Sequence, residues 1–303
     1  MRSPLRIGSI AMSAAAVWLA GVTAVAQPPQ QQPAGLIVAD LIVTNAKVHT
    51  MDEQRPQATA FAVRDGKFIA VGDAAEVERF RGEKTRRVDA RGHTLIPGLN
   101  DSHAHAIRGG RFYNLELRWD GVDSLARALG MIREQAQRTP PGEWVRVIGG
   151  WSPYQFAENR MPTVKELNEA APETPTFVLF LYSQGFINRA AVQALGWDKT
   201  PPPNPDGGRF EWIDGGAILH AEPNPLILYQ MIARPPQLSA ADQVNSTLHF
   251  YREMNRLGMT SAVDAGGGGH AFPADYAGSQ ELARKGEMPV RISYYLFAQT
   301  PGK

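Results

Sequence analysis

The stretch L-I-P-G-L-N-D-S-H-A-H-A-I-R-G-G, residues 95–110, places two histidines one residue apart behind a Pro97-Gly98 break and an Asp101-Ser102 pair. Residues two apart on a strand point the same way, so His103 and His105 offer both imidazoles from one face while small Ala104 turns to the other. Two neutral imidazoles at a strand end can hold one zinc-like ion at about 2.0–2.1 Å from each nitrogen. The spacing permits chelation without requiring it, because isolated His-x-His pairs are more often structural or solvent-facing. Asp101 shares their parity and is expected beside them, either as an acceptor behind the imidazoles or as a structural carboxylate.

Upstream of the histidines the pattern is β. Two alternating runs flank Asp65-Gly66, a hairpin turn signal, and R-R-V-D-A-R-G-H-T-L-I-P-G (residues 86–98) adds a strand-like piece. This predicts a small β unit over residues 36–92 and a second domain over 93–303, whose first strand runs from Thr94 to His105. Downstream, residues 123–138 read as a helix capped by Asp123 or Ser124 and stopped at Pro140-Pro141-Gly142. Residues 143–151 and 176–183 read as buried strands. Pro, Gly and Asn crowd residues 197–236 around a hairpin at 207–220, so residues 111–236 are expected to form an irregular insertion. Beyond it comes a helix over 240–257 ended by Gly258, a strand over 259–265, a helix over 274–286 and a strand over 290–297. That alternation is the mark of a parallel sheet or barrel.

The 303 residues carry a formal net charge of +1, with 43% hydrophobic and 20% charged side chains, an ordinary globular balance with no strong pull toward nucleic acid or anionic surfaces, and neither is expected as a partner. There is no cysteine, so any metal is held through nitrogen and oxygen. Arg2 and Arg6 lead an apolar run that closes on Ala24-Val25-Ala26, predicting an export signal over residues 1–26 and a Pro/Gln-rich spacer over 27–35. The protein is therefore expected to be periplasmic or secreted, with no stable membrane association once the signal is cleaved.

The run from Pro97 to His105 resembles the first barrel strand of the amidohydrolase superfamily, whose pattern is Pro-Gly-hydrophobic-x-Asp-x-His-x-His. D-G-K-F-I-A-V-G-D (residues 65–73) and V-D-A-R-G-H-T-L-I-P-G (88–98) are similar to that superfamily's N-terminal β-sandwich leading into its barrel. Finer features resemble amidohydrolase family 3, the branch that includes N-substituted formamide deformylases. They are the Trp-containing strand at residues 142–156, the block at 161–196 and G-M-T-S-A-V-D-A-G-G-G-G at 258–269. Asn188 matches that block, whereas Gln184-Gly185 stands where the family usually has histidine.

The resemblance implies an α/β fold: an incomplete, distorted TIM (β/α)8 barrel of the metal-dependent hydrolase type, preceded by the N-terminal part of a small β-sandwich. It implies one or two divalent ions, zinc above all, with His103 and His105 as ligands. It also implies hydrolysis of non-peptide, amide-type carbon–nitrogen bonds in a small-molecule substrate by activated water. The superfamily's other ligands, a bridging lysine carbamate or acidic residue, two later histidines and a final proton-shuttling aspartate, find no match here. The sequence is accordingly expected to be the N-terminal portion of a longer hydrolase. The alternative is a noncatalytic periplasmic binding or scaffold protein built on a degenerate amidohydrolase half.

Four further residues are candidates for the site. Asp264 ends a strand at the expected face, where it either borders the site or binds loop amides beside Gly266. His270 follows four glycines and is placed near a ligand or in solvent. Trp151, if it faces the cleft, suggests an apolar or aromatic substrate group, and Asn188 is included on its family match. His220 and Glu222 share strand parity, but within the insertion a loop-packing role is the simpler reading.

Overall fold

Strand-forming runs between residues 41 and 95 build two small sheets. In the computed structural model, which describes residues 37–266 and 271–296, the first seven strands are β1 (Leu41–Thr44), β2 (Lys47–His49), β3 (Gln57–Ala58), β4 (Ala60–Arg64), β5 (Lys67–Gly72), β6 (Arg86–Asp89) and β7 (Thr94–Leu95). They form one sheet of order β5-β4-β1-β6 and another of order β3-β2-β7. β4 and β5 pair antiparallel across the predicted Asp65-Gly66 turn, both residues of which have positive φ. Ile42, Ala60, Ala62 and Val77 are fully buried between the first sheet and helix α1 (Ala74–Glu78). Asp73 caps that helix in a reciprocal box with Glu76.

The chain divides into two compact units at Pro97/Gly98, a few residues past the boundary expected from the sequence. The reading of residues 94–105 as one strand is corrected here. Thr94 and Leu95 pair with Lys47 and Val48 in the first unit, and the Pro-Gly pair interrupts the ladder because proline has no N–H to donate. A separate strand, β8 (Leu99–Ala104), begins the second unit.

That unit continues through α2 (Ala106–Phe112), α3 (Leu125–Arg138), β9 (Val145–Val147), α4 (Val164–Ala170), β10 (Thr176–Phe180), β11 (Gln184–Ile187), α5 (Arg189–Ala194), β12 (Arg209–Ile213), β13 (Gly216–His220), α6 (Leu226–Ile232), α7 (Ala240–Arg256), β14 (Met259–Asp264), α8 (Ala277–Lys285) and β15 (Arg291–Tyr294). β15, β14 and β8 lie side by side in a parallel sheet, with β14 in the centre. Their buried faces meet α2, α7 and α8 around Ala106, Tyr251, Met254, Ala262, Leu282 and Val290. This is the strand–helix–strand alternation read from residues 240–297. Among the described residues the three strands do not close into a barrel.

The expected irregular insertion is instead organised around a five-stranded sheet of order β12-β13-β11-β10-β9. Phe177, Ile187 and Leu219 turn to one face, against Ile227, Leu228 and Met231 of α6. Val145, Val147, Val178 and Phe186 turn to the other, against Leu125 and Ile132 of α3 and Leu167 of α4. Two cores on the two faces of one sheet explain why β10 reads as an almost continuous apolar run and β9 as apolar on both sides of Arg146. The prolines and glycines that suggested irregularity are concentrated in the loop of residues 201–208 and leave the strands intact.

The β12–β13 hairpin closes on Asp214 (φ 53°) and Gly215 (φ 77°), the two-residue turn whose twist suits paired strands. A Cβ on the next residue, Gly216, would run into the Ile187 carbonyl oxygen and the Val164 side chain. Gly216→Ala should therefore destabilise the protein by about 1–3 kcal/mol, read as a lowered urea midpoint, because a backbone oxygen cannot swing aside.

The predicted export signal at 1–26, the spacer at 27–35 and the glycine run ending in His270 lie outside the described residues. Among those that are described, no helix is long and apolar enough to cross a membrane.

Candidate metal centre

β8 delivers the histidine pair at its C-terminal end. His103 belongs to the strand, while His105 is one residue beyond it, as the N-cap of α2 with φ −111° and ψ 62°. Simple strand parity therefore does not extend to His105, yet the rings remain neighbours: their centroids are 5.6 Å apart, with planes inclined at 73°. Two imidazoles bound to one tetrahedral ion hold their centroids roughly 5 Å apart, so the pair is close to a chelating arrangement. His103 is exposed and His105 half-buried.

The carboxylates around the pair work on the backbone. Asp101 Oδ1 accepts the His103 N–H at 2.9 Å, fixing the stretch of β8 that carries the first imidazole. Asp264 is fully buried at the end of β14, opposite Ala104. Its Oδ2 accepts the Ile107 N–H at 2.8 Å and its Oδ1 the Gly266 N–H at 3.0 Å. Of the two readings of Asp264, the structure displays the amide-binding one, and through Ile107 it also anchors the first turn of α2. Among the described residues no group of three or more histidine, aspartate or glutamate side chains gathers as a cation site.

Two other candidates are placed away from any ligand role. Asn188, fully buried, spends its whole amide on the protein. Its Nδ2 donates to the carbonyls of Ala171 (2.7 Å) and Thr174 (3.0 Å), and its Oδ1 accepts from the N–H groups of Thr176 and Ala191, both at 2.9 Å. The match to the family block is thus a match in scaffolding. Trp151 packs with Trp119, Phe156 and Phe180 in the core under α3, and its Nε1 donates to the Leu179 carbonyl at 2.9 Å. Its surroundings are core side chains, because burying that indole completes one face of the insertion sheet. His220 takes the packing role expected of it: its Nε2 is 2.8 Å from Glu211 Oε2 and its Nδ1 3.3 Å from Gln184 Nε2.

The sequence reading missed a partly buried charge cluster beyond α2. Glu116 and Arg146 sit opposite each other in an isolated parallel bridge. Burial pushes the Glu116 carboxyl up to about 7, against the pull of Arg118, Arg108 and Arg146. Arg146 is 1% exposed; it donates through Nη2 to the Pro236 carbonyl, while Nε and Nη1 have no hydrogen-bond partner among the described residues. The signal available was an arginine in the middle of W-V-R-V-I, a charge where every neighbour is apolar.

The Glu116 shift has a defined sign. A carboxyl whose folded pKa lies above its unfolded value of about 4.5 holds its proton longer in the folded state, so stability falls as pH rises from there to about 7. Wild-type protein should lose stability across that window, by about 1–3 kcal/mol at most, and Glu116→Gln should flatten this dependence. Thermal midpoints of both proteins at pH 5 and pH 8 check it.

Comparison with known proteins now bears on the histidine pair. The sequence model of the third amidohydrolase family, described as "Amidohydrolase family", matches residues 86–301, which include both histidines. The chain belongs to the amidohydrolase family. Over 276 residues this amidohydrolase is 35% identical to "Protein LONG AFTER FAR-RED 3" of Arabidopsis thaliana, covering 89% of the chain and 44% of that protein. It is 32% identical over 191 residues to the N-substituted formamide deformylase of Arthrobacter pascens, covering 61% of the chain and 35% of that enzyme. Its fold resembles the crystal structure of an uncharacterized metal-dependent hydrolase from Pyrococcus furiosus, with a TM-score of 0.56 at 17% identity, over 84% of the chain and 50% of that structure. The amidohydrolase chain thus spans half or less of the length of these three relatives.

Proposed function

We propose that this chain is the metal-binding N-terminal part of a hydrolase that cleaves non-peptide, amide-type carbon–nitrogen bonds in small molecules, N-substituted formamides being the first class to examine. The observation that carries this reading is the side-by-side pair of imidazoles, 5.6 Å apart, at the end of a parallel strand in an amidohydrolase chain. Two neutral nitrogen donors without thiolate suit a divalent ion such as zinc, and His103 and His105 would hold it. When bound, such an ion lowers the pKa of water toward neutrality and polarises a scissile carbonyl.

The chain's own residues prepare that place. Asp101 fixes the backbone at His103, Asp264 ties the start of α2 to β14, and exposed His103 leaves the site open to solvent and substrate. β8, β14 and β15 fit the opening strands of a distorted (β/α)8 barrel, whose active sites form at the C-terminal strand ends. The two sheets of the first unit fit the N-terminal part of a β-sandwich. In this reading the remaining ligands and the proton shuttle come from sequence beyond Lys303, and the protein is exported.

A chelator test examines the proposal: EDTA treatment of the intact protein should abolish hydrolysis of N-substituted formamides, and added zinc should restore it. Hydrolysis that persists without metal would defeat it.

A further inference from the structure

Beyond the histidines, the first turn of α2 presents Arg108. Residues three apart on a helix are neighbours, with Cβ atoms about 5–6 Å apart, so Arg108 rises beside His105, the helix's N-cap. Its guanidinium meets two tyrosines from the insertion: Tyr182, in the turn between β10 and β11, and Tyr229, on α6. The guanidinium carbon lies 5.9 Å from the first ring centre and 5.6 Å from the second, and Nη1 donates to the Tyr229 hydroxyl at 3.2 Å. No carboxylate of the described residues comes within 4.0 Å of it.

The surroundings are rich in positive charge. Arg118 and Arg146 act on the same carboxyl as Arg108, that of Glu116, which burial pushes up to about 7, with Asp120 and Glu143 at the edge of the cluster. A guanidinium needs carboxylate or phosphate geometry to use its paired donors, and its neighbours here offer one phenol oxygen and two ring faces. Stacking on the tyrosines holds the guanidinium in place, one helical turn along α2 from His105, with donors to spare.

We infer that Arg108 is a specificity-determining residue that binds a carboxylate on the substrate, with Tyr182 and Tyr229 as the aromatic wall beside it. This rests on the hydrolase reading for the position of the scissile bond, but the binding itself does not. The substrate class is then N-acyl or N-formyl compounds carrying a carboxylate near the amide, in preference to neutral amides.

The test compares N-formylphenylalanine with N-formylphenethylamine, which differ only in the carboxylate. Calorimetric binding to metal-free intact protein should favour the carboxylate probe by tenfold or more. Arg108→Gln should erase that preference, Arg108→Lys should keep part of it, and circular dichroism should show both variants folded. In the metal-loaded protein the same contrast should appear in KM more than in kcat. Equal binding of the two probes, failure of the carboxylate probe to bind, or an undiminished preference in a folded Arg108→Gln protein would overturn the inference. Arg108-dependent binding without any hydrolysis would uphold it while defeating the hydrolase reading.

Discussion

Replacing His103 and His105 together by alanine will cost the protein its divalent metal and reduce hydrolysis to background, while leaving its fold nearly intact. The imidazoles are the donors that β8 and the start of α2 bring side by side, and a cation left with neither loses its hold on this strand. Removing a group that merely orients a metal ligand lowers affinity or activity by about 10–100-fold, so loss of the ligands themselves should exceed about 100-fold. Each single alanine variant should already account for most of the effect, since one imidazole cannot chelate. Stability should change only modestly, because exposed His103 buries no apolar surface and Asp101 holds its backbone, while half-buried His105 makes no side-chain cap hydrogen bond at the start of α2. Metal analysis by mass spectrometry, with activity and thermal unfolding on the same preparations, separates the two effects.

Asn188→Ala should behave in the opposite way: a large loss of stability with little change in activity per folded molecule. One amide joins four pieces of chain, namely the end of α4 at Ala171, the Thr174 loop, the start of β10 at Thr176 and the first turn of α5 at Ala191. Alanine would take these partners from the Ala171 carbonyl and the Thr176 and Ala191 N–H groups, leave the Thr174 carbonyl with the Thr176 hydroxyl alone, and remove a helix cap. A loss of about 3–5 kcal/mol is expected. Asn188→Asp keeps the acceptor but loses both donors, so it should fall between wild type and alanine. Urea midpoints rank the three proteins, and a fully stable Asn188→Ala variant would refute the scaffolding role.

How far the sequence foretold the molecule depended on whether the signal was local. Asp65-Gly66 and Asp214-Gly215 announce hairpins because both residues of such turns need positive φ, and Gly258 and Gly286 mark the ends of α7 and α8 for a similar reason. The strands on either side of α8 were equally legible. The insertion was not, because dense proline and glycine in one loop outweighed short strands whose apolar runs become intelligible only once two cores are seen, one on each face of their sheet. Residue roles were harder still. The motif that carries Asn188 preserves its identity without saying whether its amide faces a substrate or the backbone, and Trp151 reads alike in a cleft or a core. Glu116, Arg108 and Arg146 are remote in sequence from one another or embedded among apolar residues, and only the fold brings their charges together.

The hydrolase reading stands or falls on where a cation binds. Zinc-edge anomalous diffraction from crystals of the metal-loaded intact protein should show an ion with nitrogens of both His103 and His105 at about 2.0–2.1 Å. An ion bound elsewhere, or rings that turn away from each other into solvent with no cation between them, would contradict it.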